Sequence, residues 1–277
     1  MTTPLMPVLP LPPLLLIGCG KMGGAMLAGW LELGLPAETV VVEPSEAAVG
    51  ALAGRIRHVG SMAEIPAGFA PAAIILATKP QEAANALPAL TPLCGPGAVF
   101  ISIMAGCNVA GMNALLGGRA LLIRAMPNTP AAIRRGFTVA FAGPGVSEAQ
   151  CELANRLLSA IGEAAWVDDE TLIDPVTAVS GGGPAYVFLL AELMERAAIS
   201  QGLPPDLARR LARATVAGSG ALLDVSGEDT ATLRRNVTSP KGTTERALAV
   251  LMREGAWPAL MEEAIEAATA RSRELAG

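Results

Sequence analysis

The chain has 277 residues, of which 52% are hydrophobic, 16% charged and 3% aromatic, and its formal net charge is −5. That length holds one large domain or two medium ones, and so apolar a composition marks a core-rich globular protein with faces to bury against another subunit. It speaks against a nucleic-acid partner, which asks for a basic stripe and stacking rings, and a single histidine with no CxxC pair speaks against a metal centre.

The N-terminal stretch MTTPLMPVLPLPPLLLIG is apolar but lacks a basic leader, and its five prolines would break a helix. Residues 1–13 therefore read as an extended arm leading into a strand. No apolar run free of proline and glycine is expected to span a bilayer. Residues 14 to about 165 then alternate strand and helix signals. LLLI at 14–17, TVVVE at 39–43, AAIILAT at 72–78, AVFISI at 98–103 and ALLIRA at 120–125 are short, continuously apolar runs, suited to strands covered on both faces of an open parallel sheet. FTVAFAG at 137–143 adds a further strand-like run. Helical patterns fall at 22–33, 45–53, 82–90, 108–116 and 147–162. After Trp166 the strands stop, and helices are predicted at 184–202, 204–224, 243–254 and 258–275, the first two opening on prolines. The expected class is α/β: a parallel-sheet domain over 1–165 and an all-helical domain over 166–277.

Gly18, Gly20 and Gly23 stand in G-x-G-x-x-G spacing between the first strand and the first helix. The first glycine permits the tight turn, the second lets a pyrophosphate approach the backbone, and the third lets helix and strand come close. Glu43 ends the second strand about 20 residues further on, where a carboxylate accepts hydrogen bonds from an adenosine ribose diol and repels a 2′-phosphate. A nicotinamide dinucleotide is the expected cofactor, NADH or NADPH, and Glu43 favours NADH. A second site is signalled by 236-NVTSPKGTTERAL-248, which crowds four hydroxyls and a glycine around a helix entrance. The amides of Gly242, Thr243 and Thr244 and the hydroxyl of Ser239 are expected to seat an anionic substrate there. Other tempting side chains read as structure: His58 as a loop or strand residue, and Met22, Met26, Met104 and Met126 as core. Arg124, Arg134 and Arg135 divide between cofactor phosphates and solvated or interface charge. Four cysteines without paired spacing suit a reducing cytoplasm.

Several segments, in order along nearly the whole chain, resemble the pyrroline-5-carboxylate reductase family: IGCGKMGGAM, ATKPQ at 77–81, SIMAG at 102–106, RAMPNTPAAIRRG at 124–136, AVSGGGPAYVF at 178–188 and VTSPKGTT at 237–244. The resemblance implies a Rossmann domain, a helical domain that interlocks with a partner, and reduction of 1-pyrroline-5-carboxylate to L-proline by NAD(P)H. It implies that Ile17, Gly18, Cys19, Gly20, Lys21 and Met22, then Ala77, Thr78, Lys79 and Pro80, then Ile103, Met104 and Ala105 line the dinucleotide, with Asn236 at its nicotinamide end. Glu170, Ser239, Gly242, Thr243 and Thr244 match substrate positions, and Thr244 is the candidate to hydrogen-bond the ring nitrogen. A homodimer is implied, and a higher assembly of dimers is allowed.

Three features depart from the family pattern. Lys241 stands where glycine is commonest, Glu43 stands where a small polar residue is frequent, and EDTA at 228–231 lacks the usual His-Pro. Three rival readings compete with this one. A β-hydroxyacid dehydrogenase would need a catalytic lysine that the helices at 184–202 and 204–224 do not contain. A reductase of another cyclic imine carboxylate, or a non-catalytic dinucleotide-binding protein, would keep the same motifs.

Overall fold

A computed structural model of the chain describes residues 11–34 and 38–276. Most of the N-terminal arm thus lies outside the described residues. The chain divides into two compact units, the first of residues 1–181 with 269–277, the second of residues 182–268. This division falls at Gly181/Gly182, later than the expected boundary near residue 165.

Unit 1 is built on one eight-stranded sheet in the order β3-β2-β1-β4-β5-β6-β7-β8. Its strands are β1 (Leu14–Ile17), β2 (Val40–Val42), β3 (Arg57–Val59), β4 (Ala73–Leu76), β5 (Val99–Ser102), β6 (Leu121–Met126), β7 (Gly136–Ala142) and β8 (Gly162–Val167). The first six run parallel in a Rossmann order, as the continuously apolar runs require. β7 is antiparallel to β6, because only a short connection with one turn of 3₁₀ helix separates them and no crossover helix intervenes. Both sheet faces are covered. Leu14, Leu16, Ile75 and Ile101 pack on one side with Met26 and Trp30, whereas Leu15, Ile74 and Phe100 pack on the other with Leu87 and Leu116.

The helices of unit 1 are α1 (Lys21–Glu32), α2 (Glu46–Val49), α3 (Ala83–Ala86), α4 (Val109–Leu115), α5 (Glu148–Ser159) and α6 (Ile173–Val176). α1 and α5 are joined where the Trp30 indole donates to the Leu157 carbonyl at 2.9 Å. The expected helices at 45–53 and 82–90 exist as short α-turns continued by 3₁₀ turns, which Gly50 and Gly54 in the first and Pro80, Pro88 and Pro92 in the second explain.

Unit 2 holds α7 (Gly183–Ser200), α8 (Pro205–Val225), α9 (Thr230–Asn236), α10 (Thr243–Leu251) and most of α11 (Trp257–Ala276). α7 is apolar in sequence yet has no buried residue. The helical run from Glu170 to Ser200 is long and apolar enough, by length and composition, to cross a membrane. That corrects the expectation that no such run exists: Pro175 and the glycines at 181–183 do not end the run, which passes through a π-helical turn at Thr177–Gly181.

Candidate active site

The order of the sheet reverses at β1, with β2 on one side and β4 on the other, and a crevice opens beyond the carboxyl ends of these strands. The glycine turn is built there from backbone alone. The Gly18 amide donates to Val42 O at 2.9 Å, and Ala77 N donates to Ile17 O at 2.8 Å. Gly18 has φ +91°, and a Cβ on it would lie 2.8 Å from Ala77 O. A Cβ on Gly23 would lie 2.3 Å from Gly18 O, so this glycine lets α1 sit against the turn. Gly20 differs: nothing lies within 4 Å of its would-be Cβ, and it caps α1 without any side-chain hydrogen bond. Open space at a helix N-terminus whose amides lack side-chain acceptors is what a pyrophosphate needs.

The crevice has a volume of about 560 Å³, and Ile17, Gly18, Gly20, Glu43, Ala77, Thr78 and Lys79 line it together. Cys19 contributes differently. Its side chain is buried, and its amide donates to Glu43 Oε2 at 2.8 Å. Burial, and then the charge of Glu43, push the Cys19 thiol above its usual range, so it is no nucleophile. Glu43 Oε1 accepts from Ser45 N at 3.0 Å, and its carbonyl accepts from His58 Nε2 at 2.7 Å. The carboxylate is therefore fixed at the crevice wall, and each oxygen keeps a lone pair for a ribose hydroxyl. The next three residues, Pro44, Ser45 and Glu46, bring no cation to meet a 2′-phosphate.

Lys21, Met22, Pro80, Ile103, Met104 and Ala105 are not among the residues lining this crevice. Lys21 and Met22 form the first turn of α1, and Pro80 opens a 3₁₀ turn. Ile103 to Ala105 follow β5, anchored where Ile103 N donates to Leu76 O at 3.1 Å and where Thr78 Oγ1 reaches Met104 Sδ at 3.5 Å. The crevice also takes in Gly60, Ser61 and Met62, which the sequence reading missed. They follow β3, and RHV is too polar to announce a strand.

Arg124 and Arg134 meet carboxylates. Arg134 pairs with Glu32 on the surface. Arg124 is 2% exposed and holds two carboxylates, Glu170 at 3.2 Å and Asp174 at 3.3 Å. Glu170 Oε1 also accepts the Val109 amide at 2.7 Å, at the start of α4. One Glu170 oxygen is thus engaged by two donors within unit 1. Asn128 of the MPNTP motif accepts from Phe137 N at 2.9 Å and donates to Ser180 Oγ at 3.1 Å, tying β7 to the end of the π-helical turn.

In unit 2 the hydroxyl-rich loop enters α10 through Gly242, which has no side-chain cap. A Cβ there would lie 2.9 Å from Ser239 O. The Gly242 amide itself donates to Ser239 O at 3.0 Å, so the expectation that it offers an N–H to substrate is corrected: the turn consumes it. Thr243 and Thr244 occupy the first two helical positions, where amides have no i−4 acceptor. Thr238 Oγ1 donates to Arg234 O at 2.6 Å, which removes one of the four hydroxyls from substrate duty. Ser239 is exposed and Thr244 half-buried. Lys241 adopts φ +60°, a left-handed conformation that favours glycine, and its amide donates to Glu245. Asn236 ends α9 and donates to Glu228 Oε2 at 3.1 Å.

A doubly wound sheet with a glycine turn and an acidic second strand defines an NAD(P)-dependent oxidoreductase. Known families and structures agree with it. The family model for NADP oxidoreductase, coenzyme F420-dependent, matches residues 14–106, and that for pyrroline-5-carboxylate reductase dimerisation matches residues 170–275. A pyrroline-5-carboxylate reductase of Pseudomonas aeruginosa is 41% identical over 96% of this chain and 97% of its own, and one of Haemophilus influenzae is 34% identical over 94% and 96%. The structure of the Coxiella burnetii pyrroline-5-carboxylate reductase superposes with a TM-score of 0.87 at 30% identity, covering 96% of this chain and 99% of that one. The Plasmodium falciparum pyrroline carboxylate reductase, solved with NADP bound, gives 0.81 at 26% identity, covering 96% and 98%. The chain belongs to the pyrroline-5-carboxylate reductase family.

Proposed function

We infer that the protein reduces the C=N bond of 1-pyrroline-5-carboxylate to give L-proline, with NAD(P)H as reductant. The observation that carries this reading is the coexistence, in one chain, of an open glycine turn at the switch point and an uncapped helix start flanked by Ser239, Thr243 and Thr244. When bound, the nicotinamide supplies a hydride to the imine carbon. The chain's own residues hold the parts. The α1 N-terminus receives the pyrophosphate, Glu43 the adenosine ribose, and the segments 77–80 and 103–105 with Asn236 flank the rest of the dinucleotide. The Thr243 and Thr244 amides and the Ser239 hydroxyl receive the substrate carboxylate. The Thr244 hydroxyl hydrogen-bonds the ring nitrogen; its own acidity is too weak to protonate that nitrogen outright, so it orients the protonated imine. Glu170 completes the substrate side, its Oε1 held by the Val109 amide and the Arg124 guanidinium.

NADH is the preferred reductant, because the Glu43 carboxylate is held in place by Cys19 and Ser45 and no cation follows it. The working form is a homodimer in the cytoplasm. Its interface is supplied by unit 2, where an apolar groove of about 700 Å³ is lined by Leu190, Leu193, Leu248, Leu251, Trp257 and Met261. A partner's helices rather than lipid cover α7, and four free cysteines fit a reducing compartment.

One assay tests the whole reading: oxidation of NADH and NADPH by wild type and Thr244→Ala, with pyrroline-5-carboxylate and its six-membered analogue. The account expects turnover with pyrroline-5-carboxylate, higher kcat/KM with NADH, and a drop in kcat of about tenfold or more in the variant at unchanged stability. Preference for the six-membered ring would reassign the substrate, NADPH preference would remove the role given to Glu43, and normal kcat in the variant would remove Thr244.

A further inference from the structure

The last two turns of α11, from Thr269, belong to unit 1, and they reach the loop after β5 both directly and through a buried ion cluster. Residues 103–108 leave β5 and enter α4. Gly106 turns at φ +68°, and a Cβ on it would lie 2.8 Å from Leu275 Cβ, so the loop's backbone is pressed against the helix end. Asn108 works in both directions. Its Oδ1 accepts from Gly111 N at 2.7 Å and caps α4, whereas its Nδ2 donates to Ala276 O at 2.7 Å. Ser272, 5% exposed, donates its hydroxyl to Asp174 Oδ1 at 2.8 Å. Asp174 in turn meets Arg124, whose other nitrogen meets the same Glu170 oxygen that accepts from Val109 N. The segment 106–109 is thereby fastened at Gly106, Asn108 and Val109, either to the C-terminal turn itself or to the buried ion cluster on which that turn rests.

Fastening of this kind matters for what lies just upstream. Ile103 and Met104 are held on the β5 side, by the Ile103 amide on Leu76 O, the Met104 amide on Ser102 Oγ at 3.3 Å, the Thr78–Met104 contact and the burial of Met104 in the core, whereas Ala105 is exposed. The exposed Ala105 lies between two anchors, the core at Met104 and the helix end at Gly106, and its position depends on both. We propose that the C-terminal end of α11, through Ser272, Leu275 and the Ala276 carbonyl, sets the Ala105 end of the 103–105 segment against the dinucleotide, so that Ser272 and Asn108 are positioning residues for cofactor binding. The proposal rests on the reading that 103–105 flanks the dinucleotide.

The test is NADH binding by fluorescence titration of the full-length protein, alongside thermal melting. Asn108→Asp keeps the α4 cap acceptor and loses the donor to Ala276; Ser272→Ala loses the hydroxyl on Asp174, and Ser272→Thr retains one. The account expects Kd for NADH to rise about fivefold or more in Asn108→Asp and Ser272→Ala and to return toward wild type in Ser272→Thr, a shift of about 1 kcal/mol. A lowered melting temperature with unchanged Kd in both variants would overturn it, since a merely structural latch does that. Ala105→Trp, placed on the exposed tip of the loop, separates the two failures. If it weakens NADH binding while the latch variants do not, the positioning role is wrong and the cofactor reading stands; if it too leaves Kd unchanged, the segment does not meet the dinucleotide at all.

Discussion

Arg124 holds the buried ion cluster of unit 1, and its partners are not legible in the sequence. From the string RAMPNTP its guanidinium could as well have met a cofactor phosphate as a carboxylate. Its partners lie 46 and 50 positions away, a spacing that no local pattern encodes, and only the return of the 170–181 segment beneath β6 makes them neighbours. A buried arginine between two carboxylates is not evidence of high stability, since two desolvated charges repay each other only in good geometry, and here Arg124 Nε has no partner. Removing one member is another matter. Arg124→Met would strand Asp174 as an uncompensated buried charge and is expected to cost about 3–5 kcal/mol in denaturant unfolding. A loss below 1 kcal/mol would mean that the cluster is solvated in solution. Glu43 and the glycines, by contrast, were readable, because each answers to a local geometric demand: a positive φ, a close carbonyl, an acidic strand end. Lys241 shows the reverse case, a side chain tolerated at φ +60° where glycine would relieve strain.

Among elements, the buried strands announced themselves because a sheet covered on both faces permits little but Val, Ile, Leu and Phe. The two missed strands lack that constraint: β3 is an edge strand and carries Arg57 and His58, and β8 is the opposite edge, with Glu163 exposed. α9 escaped for a related reason, since TATLRRN is short and polar; its start is fixed by the Asp229 cap, whose hydrogen bonds to Thr232 also hold that carboxyl below its usual range. α10 is legible in the sequence, but the geometry of its entrance is not: Gly242 is needed for space, and its amide is spent on the turn. Gly242→Ala therefore tests the element directly. Its methyl group meets Ser239 O at 2.9 Å, so the helix entrance must shift. The expected result is a KM for pyrroline-5-carboxylate raised about tenfold, as when about one charge-assisted hydrogen bond is lost, with NADH binding unchanged. Unchanged KM would remove the α10 entrance from substrate binding.

At the scale of the whole molecule, two units with different packing divide the work. Unit 1 has a continuous core on both faces of its sheet, whereas unit 2 leaves Phe188 68% and Val225 79% exposed. Exposed apolar surface on that scale calls for a partner, and the dimerisation model spans the same helices. Light scattering at micromolar concentration should give at least twice the 28.2 kDa of one chain, and a monomer would refute the proposed interface. The central claim is chemical: the substrate is held by its carboxylate at the start of α10 while its imine carbon is reduced. The measurement that bears on it most directly compares kcat/KM for pyrroline-5-carboxylate with that for 1-pyrroline, the same ring without the carboxylate, at saturating NADH. Charge-assisted hydrogen bonds of about 1.5–3 kcal/mol each predict a loss of about a hundredfold or more for the unsubstituted ring. Equal efficiency for the two rings would contradict the account.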